Sequence, residues 1–125
     1  MQEIKKVTVK QEWLDLINQV FEIEKKLTNI KEDNSIQRNI NRINNLFIDG
    51  FFTESGFIYH NPLGEDYAET RNDCIATIQG ESKENLEIIE VNKPIIYFSY
   101  KENINTLKNI VQQAVVIVQS KNINQ

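Results

Sequence analysis

The chain has 125 residues, 40% hydrophobic and 26% charged, the size and balance of a single globular domain with a real core. A net charge of −4 and a pI near 5.0 argue against a nucleic-acid or anionic-membrane surface. One cysteine rules out an intrachain disulfide, as suits a reducing compartment. The charge is unevenly placed. Residues 1–50 carry eight basic and eight acidic side chains, so residues 51–125, with the remaining six and ten, hold the whole −4.

The N-terminal MQEIKKVTVK has lysines but no apolar h-region, so it does not read as a signal peptide. No apolar run approaches the roughly 20 residues of a membrane-spanning helix. The expectation is a soluble, cytoplasmic protein with no membrane or nucleic-acid partner.

From about Lys10 to Lys31 the apolar positions Trp13, Leu16, Val20, Ile23, Leu27 and Ile30 recur at spacings of three and four, a coiled-coil-like helical seam. Ile17 and Phe21 widen it into a broader stripe. The next apolar set, Ile36, Ile40, Ile43 and Phe47, is out of phase with the first. Asp33, Asn34 and Ser35 between them are good N-caps. The pattern predicts a second helix over about 35–52 and therefore a helical hairpin.

Each helix keeps apolar residues that its neighbour cannot cover: Ile17 and Phe21 on the first, Leu46, Ile48 and Phe51 on the second. A second copy of the hairpin would bury them in a four-helix bundle. The alternative is that a C-terminal sheet covers them within one chain. The dimer is the favoured expectation, with Trp13, Leu16, Val20, Ile23, Leu27, Ile36, Ile40, Ile43 and Phe47 as its interface.

Gly50 and Gly56 flank the passage from helix to strand. Strand-like runs follow at about 56–60, 74–79, 85–91, 94–99 and 112–120. Pro94 falls between two of them, where its missing N–H does least harm. The run Ala114-Val115-Val116-Ile117-Val118 is apolar on both faces and predicts a central strand. Lys101 to Asn109 is polar and reads as a long loop. The expected fold is α+β: a helical region over 1–54, a small all-β wing over 55–121 and a disordered tail over 122–125.

Gly56 to Cys74 concentrates the unusual chemistry, with the only histidine and the only cysteine. His60 stands near Glu65, Asp66 and Asp73, but one histidine without HxxxH-type spacing makes a weak metal or acid–base site. The bland reading is a half-exposed strand-end histidine. Glu65, Asp66, Glu69 and Asp73 lack the EF-hand register and read as a solvated acidic loop. Ser82 has Gly80 before it but Glu84 after it, so it is no nucleophile elbow. Cys74 alternates with Ala76 and Ile78 and predicts a buried thiol. No metal, cofactor or catalytic constellation is expected, and the design suits protein binding better than turnover of a small molecule.

The order of two helices, then GFIYHNPLGEDY, ENLEIIEVNKPIIY and IVQQAVVIVQSK, resembles the C-terminal part of the GrpE family, the nucleotide exchange factors of DnaK-type heat-shock chaperones. The family's Gly-x-x-Phe-Asp-Pro step is resembled by Gly64-Glu65-Asp66-Tyr67-Ala68-Glu69. Its Val-x-x-x-x-Lys-Gly-Tyr run is resembled by Glu90-Val91-Asn92-Lys93-Pro94-Ile95, and its closing Arg-Pro-Ala-x-Val-x-Val-x-Lys by Gln112 to Lys121. The family's long N-terminal paired helix has no counterpart. The resemblance covers about 10–121 and implies a non-enzymatic co-chaperone whose wing docks on the chaperone's ATPase domain and promotes nucleotide release. It implies contacts through Glu65, Asp66, Tyr67, Val91 and Asn92. The alternative is a regulatory, immunity or scaffold module of the same fold with an unrelated protein partner.

Overall fold

A computed structural model describes residues 8–30, 35–50 and 54–121. Two helices come first, α1 (Gln11–Leu27) and α2 (Ile36–Asp49). Seven strands follow: β1 (Ser55–His60), β2 (Asp66–Tyr67), β3 (Cys74–Gln79), β4 (Leu86–Lys93), β5 (Ile95–Glu102), β6 (Asn105–Gln112) and β7 (Ala114–Ser120). The protein is therefore α+β, helices before strands, as the patterning predicts. The expected tail at 122–125 and the candidate caps Asp33 and Asn34 lie outside the described residues, as does Phe51.

The strands form two sheets. One is antiparallel, in the order β1-β5-β6; the other is mixed, in the order β2-β4-β7-β3, with β3 parallel to β7. A single residue separates β4 from β5, the buried Pro94, and another separates β6 from β7, the exposed Gln113. β4–β5 and β6–β7 are thus two long arms of one bent hairpin. Proline suits the bend because it has no N–H to offer either ladder. β7 lies between β4 and β3, the central place its apolar run predicts.

Each sheet turns one face to the core. The mixed sheet contributes Cys74, Leu86, Ile88, Val91, Ala114, Val116 and Val118, joined by Ile95 from β5 and Phe21 from α1. Ile88 and Val91 share that face although three residues apart, because the β4–β7 register shifts once between them, at Ile88/Glu90. The antiparallel sheet contributes Phe57, Ile96 and Phe98, packed against Leu14 and Ile17 of α1 and Phe47 of α2. Phe57 stacks edge-on to Phe98 at 5.2 Å between ring centroids, an arrangement favoured by the ring quadrupoles.

The helical seam is turned relative to the sequence expectation. Ile17 and Phe21, expected to need a second chain, are buried against the sheets of their own chain. Of the expected interface, Val20, Ile40 and Phe47 are also buried within the chain, and Trp13 and Leu27 are half-buried. Leu16 (55% exposed), Ile23 (43%), Ile36 and Ile43 remain at the surface, together with Leu46 and Ile48. The apolar arc of α1 is wider than one contact can use. Its Leu14–Ile17–Phe21 side meets the sheets, and its Leu16–Ile23 side does not.

The expected loop from Lys101 to Asn109 is instead the closed end of the β5–β6 hairpin. Glu102 faces Asn105 across a two-residue turn, where Asn103 takes φ 58°, a conformation asparagine tolerates.

Candidate functional site

The polar stretch that stood out in the sequence is gathered at one corner between the sheets. β1 ends at His60, and Asn61 begins a turn by accepting the Leu63 N–H on Oδ1 at 3.1 Å. Glu65 N–H then donates to the Pro62 carbonyl at 3.1 Å across Leu63 and Gly64. Gly64 has φ +86°, the value the third position of a type II turn demands. Gly64 N–H donates to the Ile88 carbonyl and Ile88 N–H to the Glu65 carbonyl, each at 2.9 Å, so the turn is laced to β4.

This turn carries Glu65 back to His60, and the two side chains hydrogen-bond. The other carboxylate oxygen of Glu65 accepts from Arg71 Nη2 at 3.0 Å. Arg71 also forks onto Asp73, Nε to Oδ1 at 2.8 Å and Nη2 to Oδ2 at 3.1 Å, and its Nη1 reaches the Asp66 carbonyl at 2.9 Å. The result is a chain His60–Glu65–Arg71–Asp73 that ties the end of β1 to the start of β3.

The electrostatics follow from those contacts. Burial alone would raise the Glu65 carboxyl, but hydrogen bonds from His60 and Arg71 outweigh it and hold it below its usual range. The Arg71 hydrogen bond holds Asp73 low, and Asp73 in turn raises Arg71. Burial pushes the neighbouring Cys74 thiol up to about 11 and also raises Tyr97, with the Asp73 charge adding to it.

Every carboxylate oxygen of Glu65 and Asp73 therefore has a protein partner. Among the described residues no group of three or more His, Cys, Asp or Glu side chains is placed to hold a metal ion. The corner is suited to fastening the 61–73 segment. His60, at the strand end and half exposed, matches the bland sequence reading.

The residues expected to contact a partner are dispersed in role. Asp66 is exposed on β2 and ion-paired to Lys121. Tyr67 is half-buried against the mixed-sheet core. Glu65 is taken up in the corner network, and Asn92 is exposed on β4. Val91 is a correction: it is only 4% exposed and sits in the core, because the β4 bulge before it rephases the strand. It has no side-chain surface to offer.

Two surfaces escaped the sequence reading. The outer face of the mixed sheet shows Ile75, 56% exposed, and Ile89 at the surface, with Val115 and Ile117 half-buried beside them. Alternation could have found Ile75, since Cys74, Ala76 and Ile78 face inward. The second is a cleft of about 470 Å³ between α1, α2 and the β1 end, lined by Phe21, Glu24, Leu27, Gln37, Tyr59, Asn61 and Leu63 among others. It adjoins a second hollow of about 360 Å³ that shares Glu24 and Tyr59.

Comparison of the chain with protein-family models, with curated proteins and with solved structures returned no match. No helix among the described residues is long and apolar enough to cross a membrane.

Proposed function

We propose that this chain is a cytoplasmic, non-enzymatic docking protein of GrpE-like type. Two copies pair through the outer faces of α1 and α2 as a four-helix bundle, and the sheet module engages the ATPase domain of a DnaK-type chaperone. Binding the open form of that domain more tightly than the closed form would speed nucleotide release without covalent chemistry. The partner comes from the sequence resemblance. The observation that carries the docking reading is where apolar and polar groups lie: Leu16, Ile23, Ile43 and Leu46 remain at the helix surface and Ile75 and Ile89 on the sheet, while the densest polar cluster is consumed in internal ion pairs.

Asp66 and Asn92 are the expected polar contacts, since both are exposed. The test is release of a fluorescent ADP analogue from the host's DnaK-type chaperone with and without this protein. Acceleration that falls in an Asp66→Lys, Asn92→Lys variant supports the reading. No acceleration, together with no binding to any DnaK-type protein of the host, sinks the chaperone assignment and points to an unrelated protein partner.

A further inference from the structure

Among the described residues β6 is an edge strand of the antiparallel sheet: it pairs only with β5, whereas the strand that continues from it, β7, has neighbours on both sides. Soluble proteins blunt such edges with proline, with projecting lysines or with bulges. β6 has no proline. Its one lysine, Lys108, lies over the Tyr97 ring of β5 at 4.6 Å from the centroid, so its charge is drawn back over the sheet. The single register irregularity falls between Ile96 and Tyr97, leaving Asn105 to Ile110 a regular exposed ladder.

The direction of the free backbone groups follows from the hairpin. Glu102 and Asn105 close a two-residue turn and so form a hydrogen-bonded pair, and antiparallel pairs alternate from there. Thr106, Lys108 and Ile110 consequently point their N–H and C=O groups away from β5.

We propose that β6 is a self-association edge, at which the β6 strands of two copies pair antiparallel about a two-fold axis at Leu107. A two-fold contact needs self-complementarity, and only residues on the same face can stand opposite. Centring on Lys108 sets that lysine against itself, a like-charge pair. Centring on Thr106 sets Leu107 against Asn105. Centring on Leu107 sets Leu107 against Leu107 of the second copy, Lys108 against Thr106 and Asn109 against Asn105. It also brings Ile104, 98% exposed at the hairpin tip, alongside Ile110. In that register the outward groups of Thr106 and Lys108 meet, as the ladder requires. This contact is independent of the chaperone reading and of the helix face.

The test is disulfide trapping in a Cys74→Ser background. Opposed Leu107 positions form a non-hydrogen-bonded pair with Cα atoms about 4.5 Å apart, within the range a disulfide spans. Leu107→Cys should cross-link into a dimer under mild oxidation. Lys108→Cys, offset from its own copy, should cross-link about tenfold more slowly because bridging would require backbone movement. Adding Lys108→Pro to Leu107→Cys removes an outward donor while sparing the β5 ladder. It should abolish cross-linking with the circular dichroism spectrum retained. Cross-linking should persist when Leu16→Asp and Ile23→Asp disable the helix face. Equal trapping at Leu107 and Lys108, or none at Leu107 in folded protein, overturns the proposal.

Discussion

Arg71 grips Asp73, two residues along the chain, with two hydrogen bonds of 2.8 and 3.1 Å, while its Nη2 also reaches Glu65 at 3.0 Å. The arrangement makes stability acid-sensitive. Glu65 and Asp73 both titrate below their ordinary values of 4.5 and 3.8. A depressed carboxylate contributes stability that is present above its unfolded pKa and is lost as pH falls through its folded value. Stability contributed by this corner should therefore hold from neutral pH down to the ordinary carboxylate values and decline below them. Arg71→Met should cost about 1–2 kcal/mol at neutral pH and flatten the acid limb. Urea denaturation of both proteins across acid pH checks both effects; an unchanged acid limb contradicts the account.

Gly56 of β1 is pressed against the end of α2, where an added Cβ would collide with the Ile48 carbonyl oxygen and its neighbouring backbone. Gly64 has open space around its Cα but φ +86°. The two glycines thus fail on substitution for different reasons. Gly64→Ala should cost about 1–2 kcal/mol of backbone strain. Gly56→Ala should cost about 3 kcal/mol or more, because backbone has to move. Thermal melts of the two variants give the order, and Gly64→Asn should recover part of the first loss because asparagine accepts positive φ.

How far these relationships could be read in the sequence depends on what sets them. The helices and the central β7 declare themselves because burial imposes a period on their apolar residues. The rotation of α1 does not. Periodicity marks an apolar arc holding Ile17 and Phe21 as well as Leu16 and Ile23, and only the tertiary partner decides which half is covered. β6 was hidden because an exposed strand has no buried face to pattern: Asn105, Lys108 and Asn109 look like loop residues. The burial of Val91 is not legible either: its place in the expected contact set comes from the family resemblance, and the bulge that turns it inward has no sequence signature. The corner residues were visible as a cluster, but their pairing around Arg71 came only with the turn geometry.

Cys74 begins β3 with its side chain in the mixed-sheet core, and burial pushes its thiol up to about 11. The thiolate is the reactive species, so native protein at neutral pH should label slowly with a thiol reagent and quickly once unfolded by guanidinium. Arg71→Met should not make the thiol reactive, since the positive neighbour lowers its pKa and removing it acts the other way. Rapid stoichiometric labelling of the native wild type would contradict the packing described.

Neighbouring residues on α1 offer the clearest separation of folding from assembly. Ile17 is buried against Phe57, Ile96 and Phe98, and Leu16, one residue earlier, faces outward. Ile17→Ala should cost about 2–5 kcal/mol, and Leu16→Ala should change the stability of the isolated chain by no more than about 0.5 kcal/mol. A Leu16→Asp, Ile23→Asp variant should stay folded and lose the proposed helix-mediated self-association, because carboxylates cannot be buried unpaired in an apolar contact. Sedimentation, performed with Lys108→Pro present so that the β6 edge is silent, should show the double aspartate variant as a monomer and its parent as a dimer. A parent already monomeric at high concentration removes the four-helix bundle and leaves the Leu16 side of α1 for another protein.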